Sequence, residues 1–266
     1  MTSKVLYEAR DGVAWITLNR PEMHNAIDLE MRDALWALLD AAEADEDVGV
    51  VVFRGYSPSP RKERGSAGEV SPMPEVSTPG TVPHSPSFSA GADVSEFGTA
   101  PSYTDARRAR LERDLWGRML HFAKPTVAAI HGYALGAGCE LSLLCDFRVA
   151  AEDAQIGLPE VKLGYIPTAG GTQTLQRAIG RGRALDMLLS AEPVSARTAL
   201  DYGLVHRVVP LAELQAETET LARRLLAQPP VALRAAKRAL VEGAGLPLAT
   251  ALRLEARLRE VLIRAP

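Results

Sequence analysis

Short apolar runs and longer stretches of helical periodicity alternate along this chain. Val5–Arg10 and Val13–Asn19 have the β-rich or alternating composition of strands. Asp11-Gly12, which separates them, favours the left-handed backbone of a two-residue hairpin turn. The chain is therefore predicted to begin with a β-hairpin.

A helix and a buried strand are predicted next. Asp28 is a good N-cap, and leucines at helical spacing follow it to about Asp45. Gly49–Arg54 is an unbroken apolar run of strand length. Such a run is expected where other elements cover both faces of a sheet.

The segment from Tyr56 to Pro86 breaks the periodic pattern. Its 31 residues hold seven of the chain's 18 prolines and six serines. So few apolar side chains cannot offset the entropy that ordering the segment would cost. We predict a surface loop inserted at 56–86; the alternative is a lid over a neighbouring pocket.

Strands and helices alternate again after the insertion. This alternation, followed by a purely helical end, predicts an α/β fold. We divide the chain into a core of residues 1–210 and a C-terminal helical region of residues 211–266. The predicted elements of the second half are a helix over Thr104–Phe122, a strand over Thr126–His131, a glycine-rich turn over Gly132–Gly138, a helical stretch over Cys139–Cys145, a strand over Asp146–Ala151, helices over Gly170–Ile179 and Gly182–Ser190, a strand over Val205–Val209, and helices over Leu211–Ala227, Pro230–Glu242 and Leu246–Arg264.

Charge and composition exclude several classes of partner. The chain carries 30 Lys and Arg against 33 Asp and Glu, a net charge of −3. No overall positive field therefore points to nucleic acid or to an anionic membrane. The five histidines lack metal-ligand spacing, so we expect no metal.

The same composition predicts a soluble protein of the cytoplasm. Two cysteines, Cys139 and Cys145, are too few for a disulfide framework and fit a reducing compartment. Residues 1–12 lack the apolar core of a signal peptide. The most membrane-like window, Pro125–Cys145, contains Glu140, which would be costly in hydrocarbon.

The most informative motif is Gly132–Leu141, where small residues follow a strand and lead into a helix. Small residues permit a sharp turn and a close approach to a ligand. The first N–H groups of the helix lack partners and suit an anion, or an oxygen that becomes one. The spacing after Gly136-Ala137-Gly138 departs from a dinucleotide fingerprint, so a nucleotide fold is disfavoured.

Glu140 is unusual because its apolar neighbours predict that it is buried. An unpaired buried carboxylate is costly, so this glutamate either pairs with an arginine or serves chemistry. Taken alone, Glu160 is interpreted as a solvated loop residue, and His131 is interpreted as a packed residue. Gly-x-Ser-x-Gly and Walker A motifs are absent from the sequence.

Together these segments resemble the enoyl-CoA hydratase/isomerase (crotonase) superfamily. Each match alone is weak, but the ordered series is specific. The matching segments are Leu18–Pro21 with Asn25-Ala26, Phe88–Asp93, Lys124-Pro125, Gly132–Asp146, Leu158–Gly164, Pro167–Thr172 and Ala199–Val205.

The resemblance implies a spiral of repeated ββα units followed by C-terminal helices that assemble trimers or dimers of trimers. It also implies an acyl-CoA thioester as substrate, with no cofactor apart from the coenzyme A that the substrate carries. The thioester carbonyl would lie between the main-chain N–H groups of Ala92 and Ala137, an oxyanion hole.

The hydratase branch of this family uses two glutamates, and the matching positions are Glu140 and Glu160. The resemblance therefore implies addition of water to a 2-enoyl-CoA, with Glu140 as the base that holds the water and Glu160 as the proton donor to C2. Further positions are expected to bind substrate by the resemblance, although core packing is an alternative for the apolar ones: Ser89, Ala90, Gly91, Asp93, Val94, Gly138, Leu163 and Pro167. His24 departs from the family's pattern: relatives commonly carry a basic residue after Asn-Arg-Pro, so contacts to the CoA phosphates are expected to be weaker here or to come from His24.

Two other functions remain open from the sequence. A Δ3,Δ2-enoyl-CoA isomerase needs one carboxylate, at the Glu160 position, so Glu140 favours hydration. A non-catalytic member of the family would bind coenzyme A, or RNA through Arg107, Arg108 and Arg110. Interspersed acidic residues and the negative net charge disfavour RNA.

Overall fold

A computed structural model describes residues 3–56, 87–102, 104 and 112–264, which form two β-sheets with helices around them. The strands are β1 (Val5–Arg10), β2 (Val13–Leu18), β3 (Val50–Gly55), β4 (Thr126–Ile130), β5 (Tyr133–Leu135), β6 (Phe147–Ala151), β7 (Gln155–Gly157), β8 (Val194–Ser195) and β9 (Arg207–Val209). The α-helices of these residues are α1 (Leu29–Ala44), α2 (Leu115–Leu120), α3 (Ala137–Leu144), α4 (Gly171–Ile179), α5 (Arg181–Ser190), α6 (Ala196–Tyr202), α7 (Leu214–Leu226), α8 (Pro230–Gly243) and α9 (Leu248–Arg264).

The larger sheet has six strands in the order β1-β2-β3-β4-β6-β9. Only the β1–β2 pair is antiparallel, and its register joins Val5 to Leu18 and Arg10 to Val13. Asp11 and Gly12 both have positive φ angles, 51° and 79°. The predicted hairpin is confirmed, because two consecutive left-handed residues match the twist of the paired strands.

Both faces of this sheet are buried, as the apolar run of β3 predicted. Val50 and Val52 face one side with α7, whereas Val51 and Phe53 face the other with α1. Asp28 caps α1, since its Oδ1 accepts a hydrogen bond from Met31 N–H at 2.8 Å. The α/β fold is therefore confirmed.

The smaller sheet has three strands in the order β5-β7-β8, and β5 leads directly into α3, the helix that carries Glu140. A strand of the larger sheet is followed by a strand of the smaller one, as in β4–β5–α3, and β6–β7 repeats the step. The prediction of a turn throughout Gly132–Gly138 was wrong, because Tyr133–Leu135 pairs with Gln155–Gly157. Three residues are too few to show strand periodicity.

The two ends of the insertion meet at one buried side chain. The Asn25 amide donates to the carbonyl oxygen of Ser87 at 2.7 Å and of Tyr56 at 3.4 Å. Residues 57–86, the bulk of the predicted loop or lid, lie outside the described residues. Tyr56 and Ser87, the described residues on either side of this segment, therefore lie close together.

Other predicted boundaries needed correction. The described part of the helix predicted over Thr104–Phe122 is helical at Leu115–Leu120, and residues 103 and 105–111, which include the arginines considered for RNA, lie outside the description. The short helix Ala196–Tyr202 was missed, because seven residues give little periodicity. Its N-cap Ser195 accepts a hydrogen bond from Thr198 N–H at 3.2 Å.

Three helices close the chain, as predicted. α7 packs on the larger sheet through Leu214, Leu221 and Ala222, whereas α8 and α9 pack mainly on each other. Lys237 of α8 ties this pair to the core through an ion pair with Asp146 at 2.7 Å. Among the described residues, no helix has both the length and the apolar character needed to cross a membrane.

Candidate active site

The main chain around Ala92 is held as an isolated β-bridge. Ile27 donates to Gly91 O at 2.7 Å and accepts from Asp93 N–H at 3.0 Å. Since both bonds of this bridge go to the neighbours of Ala92, the Ala92 N–H points the other way. It finds no acceptor among the described residues, and Ala92 itself is exposed. A donor is therefore presented to a ligand.

Ala137 supplies a second main-chain donor. It is the first residue of α3, and the first hydrogen bond of that helix runs from Glu140 N–H to Gly136 O at 2.9 Å. The Ala137 N–H therefore has no partner within the helix and lies at its positive end. At the other end, the buried Arg148 donates to the carbonyl oxygens of Ser142 and Cys145 at 3.2 and 2.7 Å.

The two donors lie on adjoining loops. A Cβ placed on Gly91 would lie 3.0 Å from Leu135 O and 3.5 Å from Ala137 N. Gly91 also has a φ angle of 112°, which other residues rarely adopt. Glycine is required here, because a side chain would separate the two loops.

Glu140 is buried, with 2% of its surface exposed, as its apolar neighbours predicted. Its Oε1 accepts hydrogen bonds from Ala169 N–H at 2.8 Å and Gly171 N–H at 2.7 Å. A Cβ on Gly171 would approach this oxygen to 2.9 Å. Main-chain donors at the start of α4 therefore fix this carboxylate in place.

Glu160 is held differently, at the start of a 3-10 turn over Glu160–Leu163. Its Oε2 is buried and has no hydrogen-bond partner among the described residues. Burial raises the pKa of Glu160 to about 7; its own main-chain N–H lowers the pKa, and the charge of Glu140 raises it. This carboxyl can therefore hold or release a proton near neutral pH.

The two glutamate side chains are close enough to interact electrostatically, since the charge of Glu140 is one cause of the raised pKa of Glu160. Glu160 Oε1 lies beside Gly136, the N-cap of the helix that carries Glu140, because a Cβ on Gly136 would approach this oxygen to 3.2 Å. The pKa of the buried Cys139 thiol is raised by burial first and then by the charges of both glutamates. Acids 20 residues apart in the sequence therefore lie near each other in the fold.

The structure places most predicted substrate-binding residues on either side of Ala92. Ala90 N–H donates to His24 O at 2.9 Å, and Ser89 Oγ donates to Asn25 O at 2.8 Å. The Asp93 carboxylate binds Arg20 and Ser95, its N–H donates to Ile27 O, and its carbonyl accepts from Glu96 N–H at 3.2 Å, so each polar group of Asp93 binds the protein. The remaining positions are Val94, which is exposed, Gly91, which touches the Ala137 loop, and Gly138, which packs on Ser89.

Leu163 and Pro167 border the other side of the site. Leu163 is exposed, whereas Pro167 is buried against Gly171. Near them, Phe97 and Tyr165 form an edge-to-face pair with ring centroids 5.1 Å apart. This pair joins the segment after Ala92 to the segment after Glu160, and no pattern in the sequence indicated it.

Sequence reasoning also missed the groups that support the site. Arg20 and Asn25 stand in the motif that carries the resemblance, but they received no role. The donors to Glu140 are main-chain groups, for which only the glycines at 170–171 give a signal. In the ranges that the structure covers, no three His, Cys, Asp or Glu residues form a metal-binding group.

Two carboxyl groups beside two unpartnered main-chain N–H groups define an acid–base enzyme that acts next to a polarised carbonyl. Comparison with known proteins identifies the family. The model of the enoyl-CoA hydratase/isomerase family matches residues 8–59 and 83–265, and the chain belongs to this family.

Individual relatives agree with this assignment. The chain is 36% identical to 2,3-dehydroadipyl-CoA hydratase of Escherichia coli K12, over 98% of this chain and 90% of that protein. It is 32% identical to the short-chain-enoyl-CoA hydratase of Clostridium acetobutylicum, over 95% of this chain and 87% of that protein.

A solved structure of enoyl-CoA hydratase from Bacillus anthracis has a TM-score of 0.82 and 33% identity, covering 99% of this chain and 92% of that one. The predicted family, its fold and the class of enzyme, a hydro-lyase, are confirmed.

Proposed function

We propose that this enzyme adds water across the C2=C3 bond of a 2-enoyl-CoA thioester through Glu140 and Glu160. The proximity of these two carboxyl groups, whose charges interact with each other and with Cys139, carries the proposal. An isomerase needs a single carboxylate, whereas hydration needs one group to accept a proton and another to supply one. A second buried glutamate therefore favours hydration.

The thioester carbonyl is polarised by Ala92 and Ala137. As water adds to C3, negative charge moves to the carbonyl oxygen, where two N–H donors stabilise it. Donors of this kind are each worth about 10²–10³ in rate. Their main-chain origin makes the arrangement independent of the alanine side chains.

The protons move between the substrate and the two glutamates. Glu140 takes a proton from water as the water oxygen bonds to C3, and Glu160 delivers its proton to C2. The product is a 3-hydroxyacyl-CoA, and a proton then returns from Glu140 to Glu160, directly or through solvent. Because the carboxyl groups interact, their titration belongs to the pair.

The substrate's coenzyme A portion lies along the loop that carries Ala92. His24, Ser89, Ala90 and Gly91 offer polar and main-chain contacts, and the main chains of Asp93 and Gly138 border the same region. The exposed Val94 and Leu163, with Pro167, supply apolar contacts to the pantetheine and acyl portions.

The direct test uses crotonyl-CoA. Hydration removes the conjugated double bond, so the absorbance of the enoyl thioester falls with time. A matched assay with a 3-enoyl-CoA distinguishes the isomerase, which would form the conjugated thioester. Turnover of the 3-enoyl substrate without turnover of crotonyl-CoA would refute the proposal.

The assembly and the compartment extend the proposal. Five apolar side chains of α8 and α9 are at least half exposed, which supports a homotrimer or dimer of trimers built on these helices. The five side chains are Leu240, Leu248, Leu252, Val261 and Ile263. Light scattering that gives a monomer at assay concentrations would contradict this assembly.

The free, buried thiols of Cys139 and Cys145 support a reducing compartment, the cytoplasm.

A further inference from the structure

A buried ion-pair cluster lies directly behind the Ala92 loop. Arg20 Nη1 contacts Asp93 Oδ2 at 2.8 Å, Asp28 Oδ2 at 3.2 Å and the Ala26 carbonyl oxygen at 3.2 Å. The side chains of Arg20, Asp28 and Asp93 are 14%, 6% and 5% exposed. One guanidinium thus joins the N-cap of α1 to the residue that follows Ala92.

The charges of this cluster are matched. Burial raises the pKa of Asp93, but hydrogen bonds from Ser95 and Arg20 outweigh it, so the net pKa is lowered. Asp28 follows the same pattern: burial raises its pKa, while Lys4, Met31 N–H and Arg20 lower it below the ordinary value. Removing Arg20 would take the ion pair from the buried Asp93, whereas Asp28 would keep its ion pair with Lys4 at 2.6 Å.

Asp93 follows Ala92 directly in the chain, so the position of Asp93 affects the direction of the Ala92 N–H in the oxyanion hole. The peptide that joins Ala92 to Asp93 is bonded to Ile27 through Asp93 N–H. On the side-chain side, Ser95 Oγ at 2.6 Å and Arg20 at 2.8 Å fix the carboxylate. A displacement of Asp93 would disturb its hydrogen bond to Ile27 O, and the Ala92 Cα links this peptide to the Gly91–Ala92 peptide that carries the Ala92 N–H.

We propose that Arg20 is a positioning residue of the oxyanion hole, which holds the Ala92 N–H in its direction through the ion pair with Asp93. The inference rests on the proposed function, since Ala92 matters only if its N–H binds the thioester oxygen. Arg20 touches no reacting atom. Its contribution is geometric, and a misdirected donor stabilises the transition state less than a well-directed one.

The main test is Arg20→Met. We expect kcat for crotonyl-CoA to fall about tenfold to a hundredfold, a share of what one donor is worth. We expect KM to change less than about threefold, because ground-state binding uses many other contacts. Arg20→Lys keeps the charge and should recover part of kcat.

A spectroscopic readout separates positioning from general damage. In a Glu160→Gln background, an enoyl-CoA stays bound without reacting, and its thioester carbonyl stretch reports the hydrogen bonds to that oxygen. Adding Arg20→Met should move the frequency toward that of the free thioester. This measurement needs binding and not turnover, so it tests Arg20 even if the hydratase assay fails.

Arg118→Met is the matched control. Arg118 is 19% exposed and bridges α2 to Asp40 and Glu43 of α1, so its loss also removes ion pairs with two carboxylates. It should lower stability without changing kcat or the carbonyl frequency. An unchanged frequency in Arg20→Met, with activity lost only in proportion to the unfolded fraction, would overturn the inference.

Asp93→Asn is the second variant if Arg20→Met does not fold. The amide keeps the shape and can still accept a hydrogen bond from Arg20 or Ser95, but the ion pair is gone. We expect the same direction of change in kcat and carbonyl frequency, by a smaller factor. Wild-type values of both quantities would contradict the inference.

Discussion

Glu140 and Glu160 lie close enough to interact, but the chain holds them in opposite ways. Glu140 belongs to a helix and accepts two main-chain hydrogen bonds at 2.8 and 2.7 Å. Glu160 belongs to a 3-10 turn, is partly exposed, and has an oxygen without a partner among the described residues. One carboxylate is fixed, and the other is left with a pKa of about 7.

The difference matches the two tasks of a hydration reaction. A group that orients water needs a fixed position, which preorganised main-chain donors supply. A group that gives up a proton near neutral pH needs a raised pKa, which burial supplies at Glu160 because it outweighs the hydrogen bond from the residue's own N–H. Environment, rather than residue type, therefore separates the roles.

The largest expected effect is on turnover. Glu160→Gln should lower kcat about 10²–10⁴-fold, the usual worth of a general acid, while the CoA thioester still binds. Glu140→Gln should lower kcat by a similar factor, because the amide cannot take a proton from water. Steady-state kinetics with crotonyl-CoA, and competition by an unreactive acyl-CoA, measure the two quantities. Normal turnover by either variant would refute the role proposed for the glutamate that it replaces.

The second prediction concerns the free energy of unfolding, which we expect to depend more on Glu140 than on Glu160. Glu140→Ala should lower the free energy of unfolding by about 2–4 kcal/mol, because Ala169 and Gly171 would keep buried N–H groups without an acceptor. Glu160→Ala should cost less than about 1 kcal/mol, since one of its oxygens makes no hydrogen bond. Urea unfolding of both variants checks this contrast. Equal losses would mean that the two sites are held alike.

The third effect is on pH dependence. Because Glu160 must be protonated to donate a proton to C2 of the substrate, kcat/KM should fall as pH rises through about 7. Glu160→Asp, which keeps an ionisable group, should retain a fall on the alkaline side. A kcat/KM that rises through this range would contradict the proton-donor role.

Stability should follow the same titration. The folded pKa of Glu160 is about 7 and the ordinary value is 4.5, so between them the folded state holds the proton and the unfolded state has lost it. The contribution of this group is therefore fully present below about pH 4.5 and is lost as pH rises to about 7. Glu160→Gln should remove this part of the pH dependence.

Much of the fold followed from local signals. The hairpin at Asp11-Gly12, the cap at Asp28 and the buried strand β3 depend on neighbours in the sequence, so pattern alone predicted them. β5, β7, β8 and α6 were missed, because elements of two to seven residues owe their existence to tertiary pairing.

At the site, the identities of the main residues could be predicted from the sequence, but the contacts that hold those residues in place could not. The burial of Glu140 followed from its apolar neighbours, but its two donors come from residues 29 and 31 positions away. The role proposed for Arg20 needed coordinates, because Asp93 lies 73 positions further along the chain. Long-range partners such as these leave no periodic trace in one sequence.

The smallest expected effect tests the origin of the raised pKa. Lys162 lies in the same turn as Glu160, and its Nζ pairs with Glu192 at 2.7 Å, with side chains 41% and 67% exposed. Exposed pairs contribute about 0–1 kcal/mol, and solvent screens their field. Lys162→Met should therefore leave kcat, stability and the midpoint of the alkaline fall nearly unchanged. A clear shift of that midpoint would show that surface charge on the turn, rather than burial, sets the proton affinity of Glu160.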